Sequence, residues 1–468
     1  MMVRFRTLSS SCARSYFWRT ACMASLTFSS WANIAGQNPV RYLGFAEVQE
    51  TLRLNAASGL PGSAIQESAE WDTWISARDA EVRGRIDRGI EDSVSNLVLY
   101  GTSFTSLPRV ESVERATSEA GELVPAVIAR IHALAVALSS DTNNERVRFV
   151  REFLARKGIR RNTEEPYFTE NLRRFIAEQA GYQNRLQDAA NDTDPSAVYL
   201  ARGTLFKTRG LSVDTSLLPN LALEQTLRAM LQKGALTTGS MRRIAVIGPG
   251  LDFTDKRDGY DFYPLQTLQP FAVLETVARL GLGKAEDLQV VCLDLNSAVV
   301  AHVQKLRERG RAGQVYTVQL PRDTRAEWSP EAIAYWKGFG EILGSPAKPL
   351  SVPATLGGVV VRAVAIRPRY AARMQVYDVN IVAQTLDLPT SAGFDLVVAT
   401  NVLVYYDRFQ QALAMANIAR MMNHHGIFMA NNVLASQHTS DLEYLGRRTT
   451  PFTPSGAYGD DIVVYRRK

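Results

Sequence analysis

The chain has 468 residues, 46% hydrophobic and 21% charged, which excludes a disordered or low-complexity protein and allows roughly two or three domains with real cores. Its formal charge of +6 is unevenly placed: residues 1–46 hold five arginines (Arg4, Arg6, Arg14, Arg19, Arg41) and no acid, leaving 48 basic against 47 acidic groups beyond them. A body this close to neutral excludes an extended phosphate-binding surface, so nucleic acid is not an expected partner.

Residues 1–40 read as a leader or a disordered extension. They are rich in arginine and serine, with a weakly apolar stretch ACMASLTFSSWANIA, a small-residue cleavage site near Ala35 and an alternative start at Met23. No later run reaches the ~18 uninterrupted apolar residues of a membrane span, so no membrane partner is expected. The richest run, ELVPAVIARIHALAVALS (122–139), carries Arg130 and His132 and reads as a buried helix.

Residues 41–235 form the next expected unit, and over most of 66–233 the 3.6-residue period dominates. Trp71, Trp74, Ile75, Val82 and Ile86 share one helical face, Val147, Phe149, Val150, Phe153 and Leu154 cluster on another, and further helical patterns run near 169–191 and 219–233. An all-α N-terminal domain is the expectation.

From 241 to 468 the texture is α/β. Continuous apolar strands at 244–248, 289–293, 394–400, 426–431 and 461–465 alternate with helices at 270–282, 297–309 and 408–422, which predicts a doubly wound, mostly parallel sheet covered on both faces. A long connection, with an insertion at 311–370, contains a helix (SPEAIAYWKGFGEILG) and an expected strand pair, GGVVVRAVAI with RMQVYDVN. Cys12, Cys22 and Cys292 have neither disulfide nor zinc spacing, and the His424–His425 pair before Gly426 reads as a turn, so no metal site is expected.

The chemistry concentrates at IAVIGPGLDFT, where Gly248 and Gly250 follow the first strand of the sheet. Glycines there remove the β-carbons that would block a ligand at the carboxyl ends of the strands. The next strand, QVVCLDLN, ends in Asp294, placed either to accept hydrogen bonds from a ribose or to cap the helix starting near Ser297. A nicotinamide site wants a third glycine and an acid about 20 residues on; here the third glycine is missing and Asp252 and Asp255 would repel a pyrophosphate. S-adenosylmethionine, a sulfonium without phosphate, fits these acids better.

Residues 243–468 resemble the class I S-adenosylmethionine-dependent methyltransferases, which are Rossmann-like. FDLVVATNVLVYYDRFQQALAMANIARMMNHHGIFMANN (394–432) is similar to the chemotaxis-receptor glutamate O-methyltransferases. The resemblance implies a cofactor loop at Gly248 and Gly250, a ribose acid at Asp294, an adenine neighbour at Asn380 and a pocket-lining Asn401. It places Tyr405 at the methyl-transfer site and implies an antiparallel last strand at YGDDIVVYRRK. Thr400 stands where those enzymes have arginine, and His424–His425–Gly426 replaces their Pro-Gly-Gly.

The expected activity is methyl transfer to oxygen on a protein side chain or small molecule, Tyr405 orienting the acceptor or packing under the helix. A fold that binds without transferring, and an NAD(P)-dependent oxidoreductase, are the alternatives. A cytoplasmic location follows from the availability of S-adenosylmethionine. The loop bearing Asp252, Asp255, Lys256, Asp258, Tyr260, Asp261 and Tyr263 reads as one wall of a substrate site or as a solvated excursion.

Overall fold

A computed structural model describes residues 39–55, 68–140, 142–190, 210–254, 260–389, 392–431 and 441–468. The leader with Cys12 and Cys22, and loop residues Asp255, Lys256 and Asp258, lie outside the described residues.

The organising element is a seven-stranded sheet. In spatial order it runs β11 (Leu442–Pro451), β12 (Gly459–Arg467), β10 (Met422–Ala430), β9 (Phe394–Ala399), β2 (Arg243–Ile247), β3 (Gln289–Asp294) and β7 (Gln375–Asp378). Adjacent strands from β10 to β7 pair in parallel, while β12 runs antiparallel to both β10 and β11. The mostly parallel, Rossmann-like sheet is therefore present, with its last strand reversed.

Period-two side-chain alternation explains why these strands are apolar throughout. Ile244, Val246, Val290, Cys292, Leu396 and Val398 face one buried layer, with α7 (Leu218–Gln232) and α8 (Gln269–Arg279). Ala245, Ile247, Val291, Leu293 and Val397 face the other, under α12 (Arg408–Met421). Helix α12 starts at a capping box in which Asp407 accepts from Gln410 N–H while the Gln410 side chain returns to Asp407 N–H.

The N-terminal portion differs from the expected all-α unit in two ways. Strand β1 (Val40–Tyr42) pairs antiparallel with β8 (Gln384–Leu386). Helices α1 (Phe45–Asn55) and α2 (Ser68–Gly84) contribute Val48, Leu52, Trp71, Ile75 and Val82 to the core of the sheet's second face. Helices α3 (Ile86–Tyr100), α4 (Pro125–Ser139), α5 (Glu145–Arg156) and α6 (Glu164–Ala190) build a second core, which also takes in Val213, Leu251, Phe253 and Val299. An amphipathic stripe looks the same in sequence whether a helix or a sheet covers it.

Two further expectations are corrected. Strand β6 (Val359–Ile366) does not pair with RMQVYDVN: it lies between β4 (Tyr316–Asp323) and β5 (Gly344–Ala347) in a separate three-stranded antiparallel sheet. The short helix Pro368–Ala371 turns the chain away, so that β7 becomes the edge of the main sheet beside β3. The histidine pair sits inside β10 rather than in a turn, with a register shift between Met422 and Ile427 and a left-handed backbone at His425 (φ 63°), a local bulge.

Two buried arginines tie the helical core together. Arg130, fully buried on α4, donates to the carbonyls of Val98, Leu107, Pro108 and Gly101, closing the end of α3; burial lowers its pKa to about 10. Arg146 on α5, 1% exposed, donates to the carbonyls of Asp252, Phe253 and Tyr263, both ends of the excursion that follows the glycine turn. Replacing Arg146 by Met strands three buried carbonyls and is expected to cost about 3 kcal/mol or more in urea unfolding. Arg173→Ala, which breaks an exposed pair with Glu122, is expected to cost under about 0.5 kcal/mol.

Candidate functional site

In a doubly wound sheet the crevice opens where neighbouring crossovers leave in opposite directions. Here that point is the carboxyl end of β2, flanked by β3 on one side and β9 on the other. A cavity of about 820 Å³ lies there, of the size that small-molecule sites occupy.

Gly248, Gly250, Asp294, Asn401 and Tyr405 all line it. Both glycines are left-handed, at φ 67° and 65°. A β-carbon at Gly248 would lie 2.5 Å from Val402 Cγ2, and one at Gly250 would lie 2.8 Å from the Val213 carbonyl oxygen. The turn thus needs glycine for its backbone angle and for the closeness of its neighbours. Leu251 N–H donates to Val213 O at 2.6 Å and Thr215 N–H to Leu251 O at 3.1 Å, which lays residues 213–215 alongside the turn as a cavity wall.

The helix after β3, α9 (Ser297–Arg311), is capped by Asn296, whose side chain accepts from Ala298 N–H. Asp294 is therefore not its cap. Its carboxyl points to the cavity and is pushed up to about 7 by burial, with Asp378 adding to the rise and the backbone N–H groups of Asn296, Leu295 and Gly250 pulling against it. Gly248 N–H donates to Leu293 O at 2.8 Å, which joins the turn to the strand that carries the acid. Asn296 also lines the cavity, 6% exposed, and its Nδ2 has no hydrogen-bond partner. A buried donor left without an acceptor marks a place for a ligand's acceptor atom.

Beyond β9 the chain enters a left-handed residue at Asn401 (φ 58°), a conformation asparagine tolerates. Its N–H donates to Asn431 Oδ1 at 2.8 Å and its Oδ1 accepts from Asn431 Nδ2, which ties the ends of β9 and β10. Tyr405 closes a 3₁₀ turn, and its carbonyl accepts from Arg85 Nη1 at 2.9 Å. Tyr406 is 1% exposed and belongs to the core. Thr400 accepts from Gln269 Nε2 at 2.6 Å, an uncharged pair just past the end of β9.

Asn380 is placed differently. It is fully buried and does not line the cavity; Nδ2 donates to Asp79 on α2 at 2.9 Å and Oδ1 accepts from Val382 N–H. Its neighbours Val379 and Ile381 are the residues that reach the cavity, because side chains alternate at the end of β7. Asp79 also accepts from Tyr42 and Arg83, so this network fastens α2 to the sheet.

Several lining residues carried no readable signal. Asp214, Thr215 and Ser216 arrive from the stretch before α7, and Asp460 and Asp461 from the start of β12. Asp460 is pushed up to about 6 by burial, with the neighbouring Asp461 raising it further. The described ends of the excursion loop are anchored: Asp252 accepts from Tyr263 Oη and Gln266 Nε2, and Asp261 from the N–H and hydroxyl groups of Thr102 and Ser103. Among the described residues no cluster of ionisable groups could hold a metal, and no helix is long and apolar enough to cross a membrane.

No protein-family model and no curated protein matches the chain. Among solved structures, it is similar to the N-methyltransferase NodS from Bradyrhizobium japonicum in complex with S-adenosyl-L-homocysteine, at 13% identity over 61% of this chain and 97% of that one, with a TM-score of 0.24. It is also similar to the magnesium protoporphyrin IX methyltransferase from Synechocystis with bound S-adenosylmethionine, at 9% identity over 70% and 100%, with a TM-score of 0.27. TM-scores this low do not establish a shared overall fold.

Asp294 gives the site a pH signature. A carboxyl whose folded pKa of about 7 exceeds its ordinary 3.8 contributes stability that is complete below about pH 4 and lost as the pH climbs through 7. Asp294→Asn is therefore expected to melt progressively higher than the natural chain as the buffer goes from about pH 5 to about pH 8. A melting-temperature difference that stays constant across that range contradicts the assignment.

Proposed function

We propose that the chain is an S-adenosylmethionine-dependent methyltransferase. The observation that carries this reading is the meeting of the left-handed glycine turn and the Asp294 carboxyl in one cavity, at the switch point of a mostly parallel sheet with a reversed last strand. The residues fit the cofactor's parts. Asp294 accepts from ribose hydroxyls, the Asn296 amide donates to an acceptor on the base or sugar, and Leu295, Val379 and Ile381 offer apolar walls to the adenine. Asn401 and the 213–215 wall enclose the amino-acid end.

Four carboxyl-bearing residues, Asp214, Asp294, Asp460 and Asp461, line the cavity, and none of the described lining residues is Lys, Arg or His. That charge suits a sulfonium and leaves a nicotinamide dinucleotide's pyrophosphate without a cationic partner. Helix α8 begins only at Gln269, well past the glycine turn, so its N-terminus is not delivered by that turn as a dinucleotide site requires.

The cofactor supplies a methyl group on positively charged sulfur, which an acceptor's lone pair displaces directly. The protein's contribution is alignment and the exclusion of water. Tyr405, on the cavity wall, orients the acceptor. Asp460, with its pKa near 6, is placed to take the proton that a hydroxyl acceptor must give up. Within this class we read the reaction as O-methylation, of a small molecule or a protein side chain, from the fourth-strand likeness centred on Asn401 and Tyr405.

Calorimetry is expected to show saturable binding of S-adenosylhomocysteine, weakened at least tenfold by Gly250→Val and by Asp294→Ala. Absence of heat with the natural chain rejects the proposal. Tyr405→Ala is expected to leave this affinity within about threefold and to lower methyl incorporation from labelled donor into extract acceptors; a binding-only protein shows no incorporation at all.

A further inference from the structure

Beside the main cavity lies a second one of about 270 Å³, and the two share Ser216, Pro219 and Gly459 as lining residues. An apolar cavity of roughly 150 Å³ holds a benzene ring in another protein, so this space admits one or two rings. Its walls are aromatic: Tyr260 and Tyr263 come from the excursion loop, Trp328 from the inserted segment, and Phe452 and Tyr458 from the tip of the β11–β12 hairpin.

These walls are held in place. Phe452 O accepts from Ser329 N–H at 2.8 Å, which docks the hairpin tip onto the inserted segment. The Arg322 guanidinium lies 5.6 Å from the centroids of both Trp328 and Trp336, a cation–π contact that restrains both indoles. Tyr263 is anchored by its hydroxyl to Asp252 and by its carbonyl to Arg146. Rigid aromatic surfaces around a void of this size favour a flat ring, because packing two aromatic faces contributes beyond the area they bury.

Charge narrows the class. Asp252 and Glu327 line the second cavity and the four aspartates line the first, whereas no Lys, Arg or His is among the described lining residues of either. Asp461 reaches Arg447 at 3.8 Å and Asp252 is hydrogen-bonded within the wall; the Arg322 and Arg146 guanidiniums lie 5.6 and 5.3 Å from the Trp328 and Tyr263 ring centroids without themselves lining the space, so the charged groups among its described lining residues are carboxylates. A carboxylate brought here would lose its hydration without gaining a cationic partner.

We propose that the second cavity is the acceptor subsite, and that the acceptor is a small aromatic molecule whose reactive end is neutral or cationic, a hydroxyl or an amine, and not a carboxylate. This rests on the methyltransferase reading and not on its narrowing to oxygen; both acceptors depart from glutamate methylation, to which the fourth-strand likeness alone would lead, and the amine departs from O-methylation as well. The ring lies between the loop tyrosines and Trp328, and the reactive atom passes Gly459 toward the main cavity, where Asp460 follows in sequence. A cationic amine first gives a proton to a cavity carboxylate, which frees its lone pair; the lone pair of the amine or hydroxyl then forms the new bond to the methyl carbon, the carbon–sulfur pair returns to sulfur to give S-adenosylhomocysteine, and the proton left on the methylated nitrogen or oxygen passes to a carboxylate or to solvent.

The test uses the full chain saturated with S-adenosylhomocysteine and three ring-matched probes: 2-phenylethylamine, 2-phenylethanol and phenylacetate. The amine and the alcohol are expected to bind at least tenfold more tightly than phenylacetate by calorimetry. Trp328→Ala is expected to weaken both at least tenfold while S-adenosylhomocysteine affinity stays within twofold. Tyr458→Ala, at the exposed hairpin tip, serves should the tryptophan variant not fold. Phenylacetate binding as well as the others, no probe binding, or variants that bind like the natural chain overturn the inference and leave the cofactor reading intact. Failure to bind S-adenosylhomocysteine brings down both.

Discussion

The buried guanidinium of Arg146 is the constraint on which the rest of the site depends. Removing a guanidinium from water costs several kcal/mol, and only a full set of acceptors offsets that. Arg146 finds them in the carbonyls of Asp252, Phe253 and Tyr263, which belong to two separated points of one excursion. The helical core thereby holds both ends of the loop that follows the glycine turn. Asp261 repeats the device from the other direction, a 1% exposed carboxylate that accepts from Thr102 and Ser103 at the end of α3. The cavity walls are thus fixed by polar contacts across two cores, and the helices are part of the site's construction.

How much of this was legible follows from where the information resides. The strands were readable because a parallel sheet buried on both faces demands unbroken apolar runs, and the glycine turn because left-handed backbone with close neighbours demands glycine. Asp294 stood out by following such a strand. Asn380 was misplaced by a single residue's alternation: Val379 and Ile381 reach the cavity and Asn380 turns to Asp79. Asn296 went unnoticed because its capping role is local, while its unpartnered Nδ2 appears only once the cavity exists. The β6 partner was mistaken because periodicity identifies a strand and says nothing of which sheet it joins; the Pro368–Ala371 turn decides that.

The site carries a cost that the fold elsewhere bears. Asp294 and Asp460 both have raised pKa values through burial, and in each case a nearby aspartate raises it further. At neutral pH such groups are held partly against their preference for water, and no lysine or arginine among the described lining residues relieves them. A bound cation would. Sites of this kind are destabilising when empty and stabilised by the ligand they select, the usual form of a stability and function trade-off.

The hairpin between β11 and β12 connects this electrostatics to selectivity. Its reversed second strand is buried through Ile462 to Tyr465 in the main sheet, so the segment that precedes it is delivered to the carboxyl edge by the sheet itself. Asp460 and Asp461 therefore face the first cavity, while Phe452 and Tyr458 a few residues away face the second. One rigid element sets the distance between the charged wall and the aromatic wall. On the proposed reading, a ligand that satisfies both carries its ring and its reactive atom at that separation, and acceptor length as well as charge would then be set by the fold.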